Sequence, residues 1–552
     1  MFNIVIKNGH VIDGAGNPWF EADIGIKDGK IIKIGDITKA QGERIIDAGG
    51  FVVCPGFIDT HSHSDIYLLI NPLCESKIRQ GVTTEVIGNC GSSLSPLTRE
   101  RIDMIKSRYG SLANEITWDW LSMNDYLNKL EKQGIALNVI ALVGHNTIRT
   151  NVIGYENRDP TPSEMEKMKS LIRESMEDGA FGMSSGLVYV PGAYSNTEEL
   201  IELCKVVAEY GGIYATHTRS ETENLWEGTL EAIEIGELAG VPVHISHNVG
   251  HIMHPHPTGR CEINLKILEE ARARGLDVTC DVYSYSVSGT GLKALVPPWA
   301  NEGGDESLVK RLKDPEIREK IKKETLERGA RDGGSACRAL EKAGLWDRIT
   351  LSNCEQNTDL IGKSFAEIAS LRKADPFDAL FDLLIEEQAH ASTTARARWE
   401  EEVETVFKHP TSMFGSDGYA LAPYGVLGGG KNHPRSYGNH PRVLGHYVRE
   451  RKILTLEEAI RKMTSFPARR FSIPDRGMIK MGTWADIVIF DKDRIVDKAT
   501  FEQPYQYPEG IKYVLVNGKV VIEDGVHTKN LAGKSLRFNA LDLSNQSYDS
   551  LT

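Results

Sequence analysis

The chain has no unbroken apolar run of about 18 residues, so no membrane-spanning helix is predicted. It has no basic excess. A net charge of −13 argues against a nucleic-acid binder, which carries a basic stripe, and offers no polybasic segment for anionic lipid. The first residues, MFNIVIKNGHVIDGAG, lack a basic segment followed by an apolar stretch and a small-residue cleavage site. No signal peptide is predicted, and a cytoplasmic location is the expectation. The eight cysteines contain no CxxC pair, which excludes a short-range disulfide framework and marks most of them as reduced core residues. No Gly-rich phosphate turn follows the first parallel-type strand, which disfavours a doubly wound nucleotide-binding sheet. The acidity itself selects no substrate, because charge in a cleft can oppose the global sign. A small-molecule substrate is therefore expected, with no nucleic acid and no membrane as partner. Nothing in the sequence sets the oligomeric state.

A length of 552 residues exceeds one ordinary core, so a large domain with a smaller companion is expected. Residues 2–55 are β-rich runs broken by NG, DG and GG turns. The same style returns in ADIVIFDKDRIV and KYVLVNGKVVIEDG. We expect a small β-sandwich domain from both termini, residues 1–55 plus 480–552, with GHVIDGAG and GKVVIEDG as neighbouring hairpins. Residues 56–479 alternate short apolar strands with amphipathic helices, the pattern of a parallel α/β sheet. Eight candidate strands end in polar residues: GFIDTHSH, TTEVIGNC, NVIALVGH, AFGMSSG, GIYATHTR, PVHISHN, DVTCDVYSY and TSMFGSDG. Eight such strands predict a (β/α)8 TIM-type barrel with its active site at the strands' C-terminal face. The stretch at about 288–348 is too long for a simple loop. We read it as an inserted lid over that face.

The chemistry-bearing residues fall at these strand ends. His61 and His63 stand two apart, so on a strand they point to one side and can share one ion. An H-x-H pair is a weak signal alone; its place after Pro55-Gly56 and an apolar strand strengthens it. Cys90 lies at the second strand end, and a glycine on either side of Asn89-Cys90 lets a ligand approach. His217 ends the fifth strand. His247 ends the sixth, with His244 deeper in the same strand. Asp417 ends the eighth, where a carboxylate can serve a bound water and a scissile group together. Imidazole, thiolate and carboxylate in this mixture favour zinc over magnesium or calcium. A metal hydrolase needs such a set: an ion to acidify water and a carboxylate to relay the proton.

These residues resemble the amidohydrolase superfamily, and within it the D-aminoacylase (N-acyl-D-amino-acid deacylase) branch. PGFIDTHSHSD, GVTTEVIGNCG, THTRSE, ISHNVG, DVYSYS, GSDG, HPRSYG and RGMIKMGTWADIVIFD follow the family's order over nearly the whole chain. The resemblance implies that Cys90, His217 and His247 hold a tight zinc. It implies that His61, His63 and Asp417 line a second, weaker position. Many relatives bridge two metals with a lysine from the fourth strand, and AFGMSSGL offers none. That ranks a deacylase above a cyclic amidase of the dihydroorotase or hydantoinase type, and the intact ligand set with Asp417 ranks it above a non-catalytic metal-binding relative. One departure stands out. The family continues the sixth-strand motif as S-H-x-K, with the lysine near the substrate carboxylate. Here the run is Ser246-His247-Asn248-Val249, followed by His251, His254 and His256.

The expected activity is zinc-dependent hydrolysis of the amide bond of N-acyl-D-amino acids. Asp417 is the expected proton carrier. Arg219, Tyr283 and Arg435 are the expected contacts to the substrate carboxylate, arginine being suited to a two-pronged grip.

Overall fold

The computed structural model describes residues 1–38, 42–222, 225–250, 259–327 and 344–539. Both ends of the chain meet in one nine-stranded sheet. Its order is Val526–His527, Lys519–Glu523, Ile511–Val516, Ile487–Phe490, Val52–Pro55, Phe2–Val11, Phe20–Lys27, Lys30–Ile34, with Gly42–Asp47 also paired to Phe2–Val11. Alternate residues such as Ile4, Ile6, Ile24, Ile26, Ile487 and Ile489 share one apolar cluster, as the two-residue period of a strand requires. Two tight hairpins depend on left-handed turn pairs. Asp28-Gly29 has φ of 51° and 80°, and Asn517-Gly518 has φ of 50° and 75°, values that Asx-Gly pairs adopt readily. GHVIDGAG and GKVVIEDG are not neighbours, contrary to expectation. Three strands separate them, because Val52–Pro55 and Ile487–Phe490 pair antiparallel to join the two halves.

The middle of the chain is α/β. Phe57–Asp59, Val82–Ile87 and Asn138–Ala141 form one parallel sheet. Val143–Gly144, Gly182–Gly186, Ile213–His217, Val243–Ile245, Val278–Val282 and Ser412–Phe414 form a second. Leu142 links them, its N–H donating to Ile87 O at 3.0 Å. At the opposite edges, Thr60 N lies 3.5 Å from Phe414 O, and Ser62 bridges Gly418 in parallel.

Helices return the chain between strands. Pro162–Glu177 starts on a capping box in which Thr161 and Glu164 satisfy each other's backbone, with proline at the first helical position, both strong start signals. Thr197–Glu209 is capped by Asn196. Their buried Met168, Ile172, Leu200, Leu203 and Val207 join the strands in the main core. Among the described residues no helix is long and apolar enough to cross a membrane. The seven described cysteines are free and buried.

The stretch around 288–348 opens a larger unit. Ser288–Gly291 pairs antiparallel with Ser392–Ala395, which pairs in turn with Ile349–Asn353. This unit has its own core running from Leu292 to Ala397. Residues 328–343 of it lie outside the described residues, as do 251–258 with His251, His254 and His256.

Candidate metal centre and active site

All six residues expected to bind metal converge at one end of the parallel strands. Cys90 Sγ lies 3.3 Å from His61 Nε2, 3.7 Å from His217 Nδ1 and 3.6 Å from His247 Nε2. Asp417 Oδ1 lies 3.0 Å from His63 Nε2 and 3.6 Å from His61 Nε2. His61 therefore stands between a sulfur-centred group and a carboxylate-centred group. Ligands of a tetrahedral zinc, bonded at about 2.0–2.3 Å, stand roughly 3.5 Å apart, and these donors are spaced accordingly. The mixture of one thiol, four imidazoles and one carboxylate suits a borderline-soft ion.

The backbone is bent to achieve this. Cys90, His247 and Asp417 have φ of 49°, 34° and 51°, a left-handed region costly for residues with a side chain and often found at functional sites. Local contacts hold these bends. Asp417 N–H donates to His61 O at 2.7 Å, and His247 N–H donates to Asp281 Oδ1 at 2.6 Å.

Electrostatics favours the ligating forms. Burial opposes ionisation of the Cys90 thiol, but the charge of His61 and contacts from His217 and His247 hold it well below the usual thiol range. Burial likewise opposes ionisation of Asp417, and Arg435 and His63 hold its carboxyl well below the usual range.

Two carboxylates that the sequence reading did not assign to the site stand behind the ligand rings. Glu221 Oε1 lies 2.5 Å from His247 Nδ1, and its Oε2 lies 3.5 Å from His217 Nε2. In both rings the nitrogen away from Cys90 faces Glu221. A carboxylate there fixes the tautomer that presents a lone pair to a metal. Asp281 is the second. It also accepts from His244 Nε2 at 2.9 Å and from Thr60 Oγ1 at 3.3 Å, and lies 3.5 Å from His61 Nδ1. His244 is thus committed to Asp281 and, through Nδ1, to Thr279 at 2.9 Å. The signals were available: Glu221 follows His217 by four positions, and Asp281 is a lone acid in an apolar strand.

A buried ion triad lies beneath. Lys77 Nζ is 2.7 Å from Asp59, 2.9 Å from Glu85 and 2.6 Å from Ser416 Oγ. All three charged side chains are fully buried. Asp59 also accepts from the backbone of Ser416 at 2.7 Å and of His61 at 3.3 Å. One cluster therefore ties the His61 strand to the Asp417 turn.

A cavity of about 110 Å³ opens beside the candidate ligands, lined by His217, Arg219, Glu221, His247, Tyr283 and Asp417 among others. Arg435 reaches Asp417 Oδ2 at 2.7 Å. The Tyr283 ring is flanked by two guanidiniums, Arg398 at 4.2 Å and Arg435 at 4.7 Å from its centre. Arg219 lines the cavity with its fork turned to Glu231, through Nε at 2.9 Å and Nη2 at 2.9 Å.

Comparison with known proteins decides the family. A family model described as "Amidohydrolase family" matches residues 44–303 and 325–522. The chain belongs to the amidohydrolase family. It is 34% identical over 539 residues to a D-aminoacylase of Alcaligenes xylosoxydans xylosoxydans, covering 97% of each chain. It is 34% identical over 519 residues to an N-acyl-D-glutamate deacylase of the same organism, covering 94% of this chain and 93% of that one. Among solved structures it is similar to an N-acyl-D-glutamate deacylase from Bordetella bronchiseptica. That protein was crystallised with zinc and a phosphonate mimic of the reaction's tetrahedral intermediate. The identity is 31%, the TM-score 0.79, and the match covers 97% of this chain and 100% of that one. This member of the amidohydrolase family is an enzyme.

Proposed function

We propose that this enzyme hydrolyses the amide bond of N-acyl-D-amino acids with zinc, releasing a carboxylate and a free D-amino acid. The observation that carries the reading is Cys90 Sγ within 3.7 Å of three imidazoles, beside a carboxylate poised on His63. Cys90, His217 and His247 would hold one tight zinc. His61, His63 and Asp417 would line a second, weaker position. Zinc bound there would acidify the attacking water and polarise the acyl carbonyl. Asp417 takes the proton of that water and passes it to the leaving nitrogen. Arg435 keeps Asp417 ionised and oriented for the first transfer. Arg435 and Tyr283 hold the substrate carboxylate. Arg219 completes that wall, with Glu231 balancing most of its charge.

The fold reading follows the same line. The eight parallel runs close into a (β/α)8 barrel, supported by the contacts of Thr60 with Phe414 and of Ser62 with Gly418. The described residues of 1–55 and 480–539 belong to the companion β domain, supported by the one sheet that strands from both ends share; a sandwich is the reading for that domain as a whole. The inserted unit covers the barrel mouth, supported by its residues in the cavity wall.

The test is a panel of N-acetyl-D- and N-acetyl-L-amino acids, scored for released amine with and without zinc. Release from the D series, dependent on zinc, is expected. Ring opening of hydantoins without cleavage of any linear amide would replace this reading with a cyclic amidase.

A further inference from the structure

The cavity has two walls of different chemistry. The strand ends supply the candidate ligands and Tyr283. The other wall comes from Val188, Tyr189 and the inserted unit, whose Ala294, Leu295, Ile349, Ala395 and Ala397 are apolar and whose Ser288, Thr290 and Thr393 add uncharged hydroxyls. Among the described residues lining the cavity, Arg219 is the one cation, and Glu231 already neutralises it. Glu221 and Asp417 add negative charge. Two further guanidiniums, Arg398 and Arg435, converge on the single Tyr283 ring and so serve one anionic position, while Arg108 and Lys293 in the adjoining cavity are held by Ser92 and Asp305. The lysine that the family places after its sixth-strand histidine is Val249 here, itself buried.

We infer that the enzyme takes N-acyl-D-amino acids with uncharged side chains and discriminates against N-acyl-D-glutamate and N-acyl-D-aspartate. The inference rests on the deacylase reading above. One carboxylate, on the α-carbon, meets Tyr283 and its flanking guanidiniums. A second carboxylate would be desolvated against Leu295 and Ile349, facing Glu221 and Asp417, without a cation of its own among the described residues lining the cavity. Burying an unpaired carboxylate is far more costly than burying the isosteric amide or an aliphatic chain. Because the cost is paid at the transition state as well, it appears in kcat/KM.

The experiment measures kcat/KM of the zinc enzyme for N-acetyl derivatives of D-leucine, D-methionine, D-glutamine, D-glutamate and D-aspartate. Glutamine separates charge from shape. The expected result is that leucine, methionine and glutamine exceed glutamate by at least about a hundredfold. Glutamate equal to or better than glutamine would overturn the inference while leaving the deacylase reading intact. If no N-acyl-D-amino acid is cleaved, the deacylase reading falls. The pocket is then judged by calorimetric binding of N-acetyl-D-leucine against N-acetyl-D-glutamate, with tighter glutamate binding overturning it. A second arm uses Ala294, which is half-buried on the apolar wall. Ala294→Arg should raise the glutamate-to-glutamine ratio at least about tenfold, in line with one new charge-assisted contact, and Ala294→Met should not. Equal ratios in the two variants would also count against it.

Discussion

The two walls of the cavity are built by opposite means. The ligand wall consists of the ends of parallel strands, and most of its side chains are held by a further polar group. Glu221 backs His217 and His247, Asp281 backs His61 and the His247 backbone, and the Lys77 triad fixes the turn of Asp417. The wall of the inserted unit is wired more sparsely: Thr393 Oγ1 donates to Thr350 O at 2.9 Å, Thr290 Oγ1 meets the Tyr189 hydroxyl at 3.2 Å, and much of the rest is apolar. Its residues sit on a small antiparallel sheet and a separate apolar core. A wall held by directional polar contacts cannot drift without losing the chemistry. A wall held by apolar packing can change shape residue by residue and alter only which molecule fits. The difference separates what makes the reaction from what chooses the substrate.

The ligand wall is most vulnerable at Cys90. Cys90→Ala removes the sulfur shared by His61, His217 and His247, so tight zinc and activity should both be lost. Metal analysis after dialysis, alongside amine release, checks this; full zinc content at a normal rate would end the role of Cys90 as a zinc ligand. Asp417→Asn keeps the shape but cannot accept a proton. Turnover should fall at least about a hundredfold with tight zinc retained. A normal rate would remove Asp417 from the proton path.

Effects beneath the ligand wall should appear as stability and metal affinity. Lys77→Ala leaves Asp59 and Glu85 buried without their cation, which costs about 3–5 kcal/mol for pairs of this kind. Denaturant unfolding reads it, and a loss under about 1 kcal/mol would show the triad to be dispensable. Asp281→Asn keeps the shape while removing the charge that faces His61 and His244. Zinc affinity should weaken about ten- to a hundredfold, the usual range for groups behind a ligand. Competition with a chromogenic chelator measures it, and unchanged affinity would reduce Asp281 to a packing role.

How much was legible in the sequence follows the same division. His61, His63, Cys90, His217, His247 and Asp417 were legible because each ends a short apolar strand, a purely local pattern. The shared sheet of the termini was legible from two β-rich ends of one style, but the strand order was not. That order depends on pairing Val52–Pro55 with Ile487–Phe490, which no local feature marks. Lys77 lies in ESKIRQ, a polar run in which nothing local marks burial, yet it is fully buried. Its partners Asp59 and Glu85 come from two other strands. The apolar wall was the least legible part. It requires Ser288–Gly291 and Ile349–Asn353 to meet on Ser392–Ala395, and such long-range pairings leave no trace in short windows.

The smallest effect expected sharpens the boundary between the two walls. Arg435 belongs to both sides of the argument: it grips Asp417 at 2.7 Å and lies 4.7 Å from the ring of Tyr283. A guanidinium can serve two carboxylates because it has five donors in a planar fork. Arg435→Ala should therefore have two consequences. The loss of a charge-assisted contact to the substrate should raise KM for free acids about tenfold. The loss of the partner that keeps Asp417 ionised should lower kcat for every substrate alike. The matching N-acetyl-D-amino-acid amide, which has no α-carboxylate, separates the two. It should share the fall in kcat and escape the rise in KM. Arg435→Lys, which keeps the charge but not the fork, should restore more of kcat than of KM. An amide whose KM rises as much as that of the free acid would show that Arg435 shapes the ligand wall alone, and would move recognition of the substrate carboxylate to Tyr283 and the residues around it.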